Sequence, residues 1–208
     1  MKITRLIFAL LIFAFVFTSC SSEDKPKQED TIPNTFYEDA SVTSDALSEH
    51  KTVTFEIENY GKIVCETYNE YAPQTVKHFL ELVENEVYND FSIEKIVPGK
   101  YILTSENSSV QNNSIPTING EFYKNGYTNN MDISKYTLVL NHIPGQYNSA
   151  SAQFMIVLSD NNDYEGEYAP FAKVIDGESV INKIICTDTD DNGKPVSPIV
   201  MKKVYINE

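Results

Sequence analysis

The sequence of 208 residues predicts a mainly β fold, a closed antiparallel barrel accompanied by two helices. Three observations predict it. Short segments of strand character recur from Thr52 to the end of the chain. Two segments of helical spacing are placed among them, well apart from each other. Turn signals rich in Gly, Pro and Asn separate these segments.

VTFEIEN alternates apolar and polar residues, NYG follows as a turn, and KIVCETY is a second strand. Residues 52–68 therefore read as a hairpin. APQTVKHFLELVENEVY places Val76, Phe79, Leu80, Leu82 and Val83 at helical spacing, with Pro73 and Thr75 at its start. FSIEKIVPGKYILTSEN (91–107) is a strand, a Pro-Gly corner and a second strand. Its charges are unusual for a plain hairpin, because Glu94 and Lys95 precede an apolar pair and Lys100 follows the corner. Residues 104–117, rich in Ser and Asn, read as a polar loop. YTLVLNH (136–142), QFMIVLS (153–159) and FAKVI (171–175) are further strands. GESVINKIIC (177–186) is helical through Val180, Ile181, Ile184 and Ile185, and SPIVMKKVYI closes the chain as a strand. No internal repeat is visible.

The chain before the barrel has a different character. Lys2 and Arg5 precede a continuous apolar run at 6–17, and FTSC follows. That run is shorter than the roughly 20 residues a spanning helix needs, and the pattern is that of an export signal. The break at Cys20, after Thr18 and Ser19, resembles the lipobox of bacterial lipoproteins, with Phe17 where Leu is more usual. The resemblance implies acylation of Cys20 and anchorage to the bacterial cell envelope, facing the periplasm or the surface. The alternative is an ordinary signal peptide with a chance Cys. Residues 1–19 are thus the leader, 20–50 an acidic flexible tether containing Pro26 and Pro33, and 51–208 the folded domain.

Net charge is −14, and loss of a leader with two basic and no acidic residues makes it −16. No basic patch is present, which argues against nucleic acid as a partner. An exported compartment permits a bridge between Cys65 and Cys186, but Cys65 inside KIVCETY reads by preference as a small buried residue. His50, His78 and His142 have no metal-ligand spacing, and His78 reads as a solvated position on the first helix. DTDDNG (188–193) starts like a calcium loop, but Ile199 stands where such a loop needs a bidentate Glu, so a polar turn is the preferred reading. No metal or cofactor is expected. No apolar helix face calls for an obligate dimer, and a monomer is expected.

Several of these stretches together resemble one family, the cyclophilins. GKIVCETYNEYAPQTVKHFLELVENEVYND is similar to that family's second strand and first helix. NGEFYKNGYTNN resembles the GEF-x-x-NG-x-x-N segment of bacterial members, and NSASAQFMIVLSD the loop and strand carrying Gln-Phe-Phe. YEGEYAPFAKVIDGESVINKI resembles the segment leading into the second helix. The match spans residues 52–206. It implies an eight-stranded antiparallel barrel capped by two helices, and peptidyl-prolyl cis–trans isomerase activity on proline-containing segments of exported proteins.

In the family pattern Phe-His-Arg-Val-Ile-Pro-Gly, the Pro98-Gly99 corner fixes the register, so the arginine position falls on Lys95. The same register puts Lys100 and Tyr101 at two pocket positions and Leu103 at a glutamine. Gln153 and Phe154 match, and Met155 takes the place of the pocket phenylalanine. Ile143 falls on a small Ala, Tyr164 on a pocket leucine, Tyr168 on a His and Phe171 on a core aromatic. Lys95 is the implied catalytic donor, and Tyr101, Leu103, Ile143, Gln153, Phe154, Met155, Tyr164, Tyr168 and Phe171 the implied substrate contacts. Without that register Lys95 reads equally as surface charge.

The chemistry asks little of such a site. The X–Pro bond resists rotation by about 18–20 kcal/mol because it is conjugated. A catalyst needs an apolar seat for the proline ring and a donor near its nitrogen, whose lone pair twisting releases. A lysine donates but lacks arginine's rigid fork. Three functions follow: an isomerase of reduced activity, a catalytically silent module that binds proline-containing peptides, or an interaction lipoprotein using the loop at 104–117.

Overall fold

The computed structural model describes residues 50–105, 115–160 and 162–208. The leader, Cys20, the tether up to residue 49 and the greater part of the polar loop lie outside the described residues. The elements run β1 (Thr52–Ile57), β2 (Gly61–Thr67), α1 (Pro73–Glu84), β3 (Phe91–Val97), β4 (Tyr101–Thr104), β5 (Thr137–Leu140), β6 (Phe154–Val157), β7 (Ala169–Asp176), α2 (Glu178–Ile185) and β8 (Val200–Ile206). All paired strands are antiparallel, and the barrel closes in the order β1-β2-β7-β5-β6-β4-β3-β8.

Alternation within the strands sorts side chains between two faces. Phe55, Ile93, Ile96, Ile102, Leu138, Phe154, Ile156 and Phe171 fill the interior. Phe79 of α1 packs among them, its ring 5.0 Å from Phe171, 5.4 Å from Tyr88 and 6.1 Å from Phe154. α2 adds Ile184 to an apolar wall shared with Ile57, Ile63 and Met201. Full burial of such side chains contributes about 1.5–3 kcal/mol each.

The start of α1 is fastened from a distance. Pro73 opens the helix, and no side chain at its N-cap satisfies the free N–H groups. The buried Glu121 supplies the acceptors instead, taking hydrogen bonds from the Gln74 N–H (3.1 Å), the Thr75 N–H (2.8 Å) and the Thr75 hydroxyl (2.7 Å). A carboxylate at this end also matches the helix dipole. The helix stops at Glu84, short of the predicted segment's end, because the Asn85 side chain donates to the Glu81 carbonyl (2.7 Å) and Glu86 turns left-handed (φ 57°).

Two expectations are revised, and the open question of the cysteines is answered. His78 is not solvated: it is 7% exposed, and its Nε2 donates to the Ser151 carbonyl at 2.7 Å. Burial holds the imidazole below its usual pKa, in the neutral form. Thr104, read as the first loop residue, ends β4, and Ser105 continues the pairing through its N–H to the Ser92 carbonyl (2.7 Å). The two cysteines are not bridged: Cys65 is buried opposite Val53, and Cys186 is exposed after α2.

The 188–193 segment is a polar turn. Asp190, exposed on this turn, accepts from the backbone N–H groups of Lys194 and Asn192, both at 2.9 Å, which pull its pKa below the usual carboxylate range. Among the described residues no cluster of three or more His, Cys, Asp or Glu is placed to hold a metal ion.

Candidate active site

The outer face of β3, β4, β6 and β5 carries a second, smaller apolar cluster. Ile133, Val139, Met155 and Val157 are buried there, with Tyr101, Leu103, Tyr164 and Tyr168 partly exposed around them. Strand register lines up its members. Lys95 pairs with Leu103, Leu103 with Met155 and Met155 with Val139, forming one transverse row across four strands. A parallel row joins Val97, Tyr101 and Val157. A bulge between Ile93 and Lys95 shifts the pairing there. Ile93 and Ile96 lie in the interior, whereas Glu94 and Lys95 keep solvent exposure.

Five of the predicted contacts, Tyr101, Leu103, Met155, Tyr164 and Tyr168, therefore share one surface with Lys95 at its polar end. Met155 is 3% exposed and forms the floor. Tyr164 stands edge-on to Tyr101 (6.4 Å) and to Tyr168 (5.7 Å), and Tyr168 stacks on His142 (4.8 Å). Burial pushes the phenols of Tyr164 and Tyr168 above their usual pKa, so both stay protonated donors at neutral pH. The result is an apolar surface with polar tips, the pairing of properties that recognition sites use. Among the described residues, no ion pair or hydrogen bond takes up the Lys95 ammonium.

The remaining predicted contacts are placed otherwise. Phe154 and Phe171 face the barrel interior, 1% and 0% exposed, because they alternate with outward neighbours on β6 and β7. They back the surface and do not line it. Ile143 is 55% exposed beyond β5 and stands outside the cluster. Gln153 has its amide taken up internally. Nε2 donates to Glu94 Oε2 (2.8 Å) and to the Thr104 carbonyl (2.7 Å), and Oε1 accepts from Asn141 Nδ2 (2.6 Å). It ties the start of β6 to both flanking strands and fixes Glu94 beside Lys95.

Sequence reasoning passed over Ile133, Val139 and Asn141. Val139 was visible as the outward position of the 136–142 strand. Glu94 was conspicuous only as a charge, and its bond to Gln153 depends on tertiary placement.

Residues 52–206 match the family described as "Cyclophilin type peptidyl-prolyl cis-trans isomerase/CLD". The chain belongs to the cyclophilin family. This cyclophilin is 29% identical over 168 residues to peptidyl-prolyl cis-trans isomerase B of Escherichia coli (strain K12), covering 75% of this chain and 99% of the relative. It is 29% identical over 157 residues to a peptidyl-prolyl cis-trans isomerase of Acinetobacter baylyi, covering 71% of this chain and 81% of the relative. Among solved structures, a cyclophilin-type isomerase of Cryptosporidium parvum superposes with a TM-score of 0.67 at 22% identity, covering 77% of this chain and 99% of that one. The same protein, determined in the presence of the dipeptide Ala-Pro, gives a TM-score of 0.66 at 23% identity, covering 76% and 99%. The eight-stranded barrel with two helices is thus the cyclophilin fold.

Proposed function

We propose that this cyclophilin isomerises X–Pro bonds in exported proteins at reduced rate, with Lys95 as the donor that arginine provides in the family pattern. The observation that supports the reading is the transverse row Lys95–Leu103–Met155–Val139, which sets a cation at the polar end of an apolar surface. The proline ring rests on the Met155 floor between the tyrosines. Lys95 donates toward the proline nitrogen as the amide twists, where a hydrogen bond to the lone pair that twisting frees favours the pyramidal nitrogen over the planar ground state. Lysine holds its donors on a flexible stem, and Leu103 offers no polar group to fix them, so the gain is smaller than a rigid fork provides. The Ala-Pro dipeptide used with the Cryptosporidium parvum relative agrees with a proline-containing ligand. A refolding or protease-coupled assay on an X–Pro peptide tests the reading: exchange faster than the uncatalysed tens to hundreds of seconds supports it, and no acceleration at high protein concentration refutes it.

The second reading is a silent module that binds proline-containing peptides. Leu103 beside Lys95 and the internally bonded amide of Gln153 favour it, since both withdraw polar groups from the surface. Peptide binding without acceleration identifies this case. Acylation at Cys20 places either activity at the cell envelope, on a tether ending at residue 50. Release of soluble protein by Cys20→Ala supports the anchor, and continued membrane retention counts against it.

A further inference from the structure

The DTDDNG segment, which the proposed chemistry does not use, packs against the strand that carries Lys95. β8 pairs with β3 at Phe91 and Ser92 and leaves the far half of that edge uncovered. A hairpin closed by the Thr189–Pro195 bridge covers it, and the Ile96 N–H donates to the Gly193 carbonyl at 2.8 Å. Lys95 is therefore flanked by Leu103 on one side and by Gly193 on the other.

Gly193 adopts φ +83°, a conformation that favours glycine. A Cβ at this position would lie 2.7 Å from the Ile96 carbonyl oxygen and 3.3 Å from Lys95 Cγ. The hairpin that delivers this bare backbone is stiffened from within. The Gly193 N–H donates to the Asp190 carbonyl (2.9 Å), Asp190 Oδ1 takes the two N–H groups of Asn192 and Lys194, and the Val196 N–H reaches the Asp188 carbonyl (2.9 Å).

We infer that Gly193 is a positioning residue for Lys95: the absence of a side chain there, held in place by the Asp190 turn, sets where the Lys95 stem lies and hence where its ammonium points. This rests on the reading of Lys95 as the donor. A side chain at 193 moves the β3 edge and the stem together, and misplacement on the order of 1 Å is enough to cost a large factor in rate.

The test is a double-mutant cycle in the full chain. Gly193→Ala is expected to lower kcat by about tenfold with KM changed less than about twofold, and to have no further effect when Lys95 is already Ala. Equal losses with and without Lys95 overturn the inference, because they describe general damage to the fold. Should Gly193→Ala fail to fold, Asp190→Ala loosens the same hairpin without adding atoms and is judged by the same criterion. If the unsubstituted protein shows no isomerase activity, the donor reading of Lys95 fails separately. Positioning is then decided by the Lys95 ¹³Cε NMR resonance, which moves in Gly193→Ala and stays in Asn192→Ala. Equal behaviour in the two variants refutes it.

Discussion

Lys95 on β3 and Leu103 on β4 are direct cross-strand partners, and Leu103 in turn faces Met155 on β6. A cation is thus set beside an apolar side chain at the edge of an apolar surface. The neighbour gives the ammonium no hydrogen-bond acceptor and no rigid support. This relation links the barrel's register to the proposed chemistry and to its expected weakness.

Glu121 holds the first turn of α1 through three hydrogen bonds, and with it the helix that places Phe79 in the core. Glu121→Ala is expected to lower unfolding free energy by about 2–3 kcal/mol and Glu121→Gln by roughly half as much, since the amide keeps one acceptor oxygen. Urea unfolding checks this. A loss below about 0.5 kcal/mol for the alanine variant contradicts the capping role.

His78 makes stability depend on pH. Its pKa in the folded protein lies below the usual value of 6.5, so around and below that value the unfolded chain binds more protons than the folded one. The contribution is complete above about pH 6.5 and is lost as pH falls through the folded pKa. Tm is therefore expected to drop between pH 7 and pH 5, and His78→Gln, which keeps a donor for the Ser151 carbonyl, is expected to drop less. An identical slope in both proteins would contradict the assignment.

The two described cysteines differ in reactivity. Burial pushes the Cys65 thiol far above its usual pKa, whereas Cys186 is exposed. Peptide-resolved mass spectrometry after iodoacetamide treatment is expected to find Cys186 alkylated in the native protein, and Cys65 alkylated only after denaturation. A disulfide-linked pair of peptides would overturn the unbridged arrangement.

The strands and helices were legible in the sequence because alternation and helical spacing are written in neighbouring residues. VTFEIEN and KIVCETY show their two faces directly, and Val180, Ile181 and Ile184 show the buried side of α2. The site was legible only where register mattered: the Pro98-Gly99 corner fixes Lys95 opposite Leu103. Phe154 and Met155 are adjacent, yet one faces the core and the other the outer surface, a consequence of strand period that residue matching alone does not convey. Gln153 bonding to Glu94, Glu121 capping α1 and Gly193 abutting Lys95 join segments far apart in the chain, so no local pattern announces them. His78 left a trace, since Thr75, His78 and Leu82 recur on the buried side of α1.

The central claim is that Lys95 is the donor, and its most direct measurement is the X–Pro isomerisation rate of three proteins: unsubstituted, Lys95→Arg and Lys95→Ala. A planar fork at this position is expected to raise kcat/KM several-fold, roughly 3- to 10-fold, and alanine to lower it by about 30-fold, to a residual rate that the apolar seat alone keeps measurably above the uncatalysed background. Equal rates in all three would contradict the account.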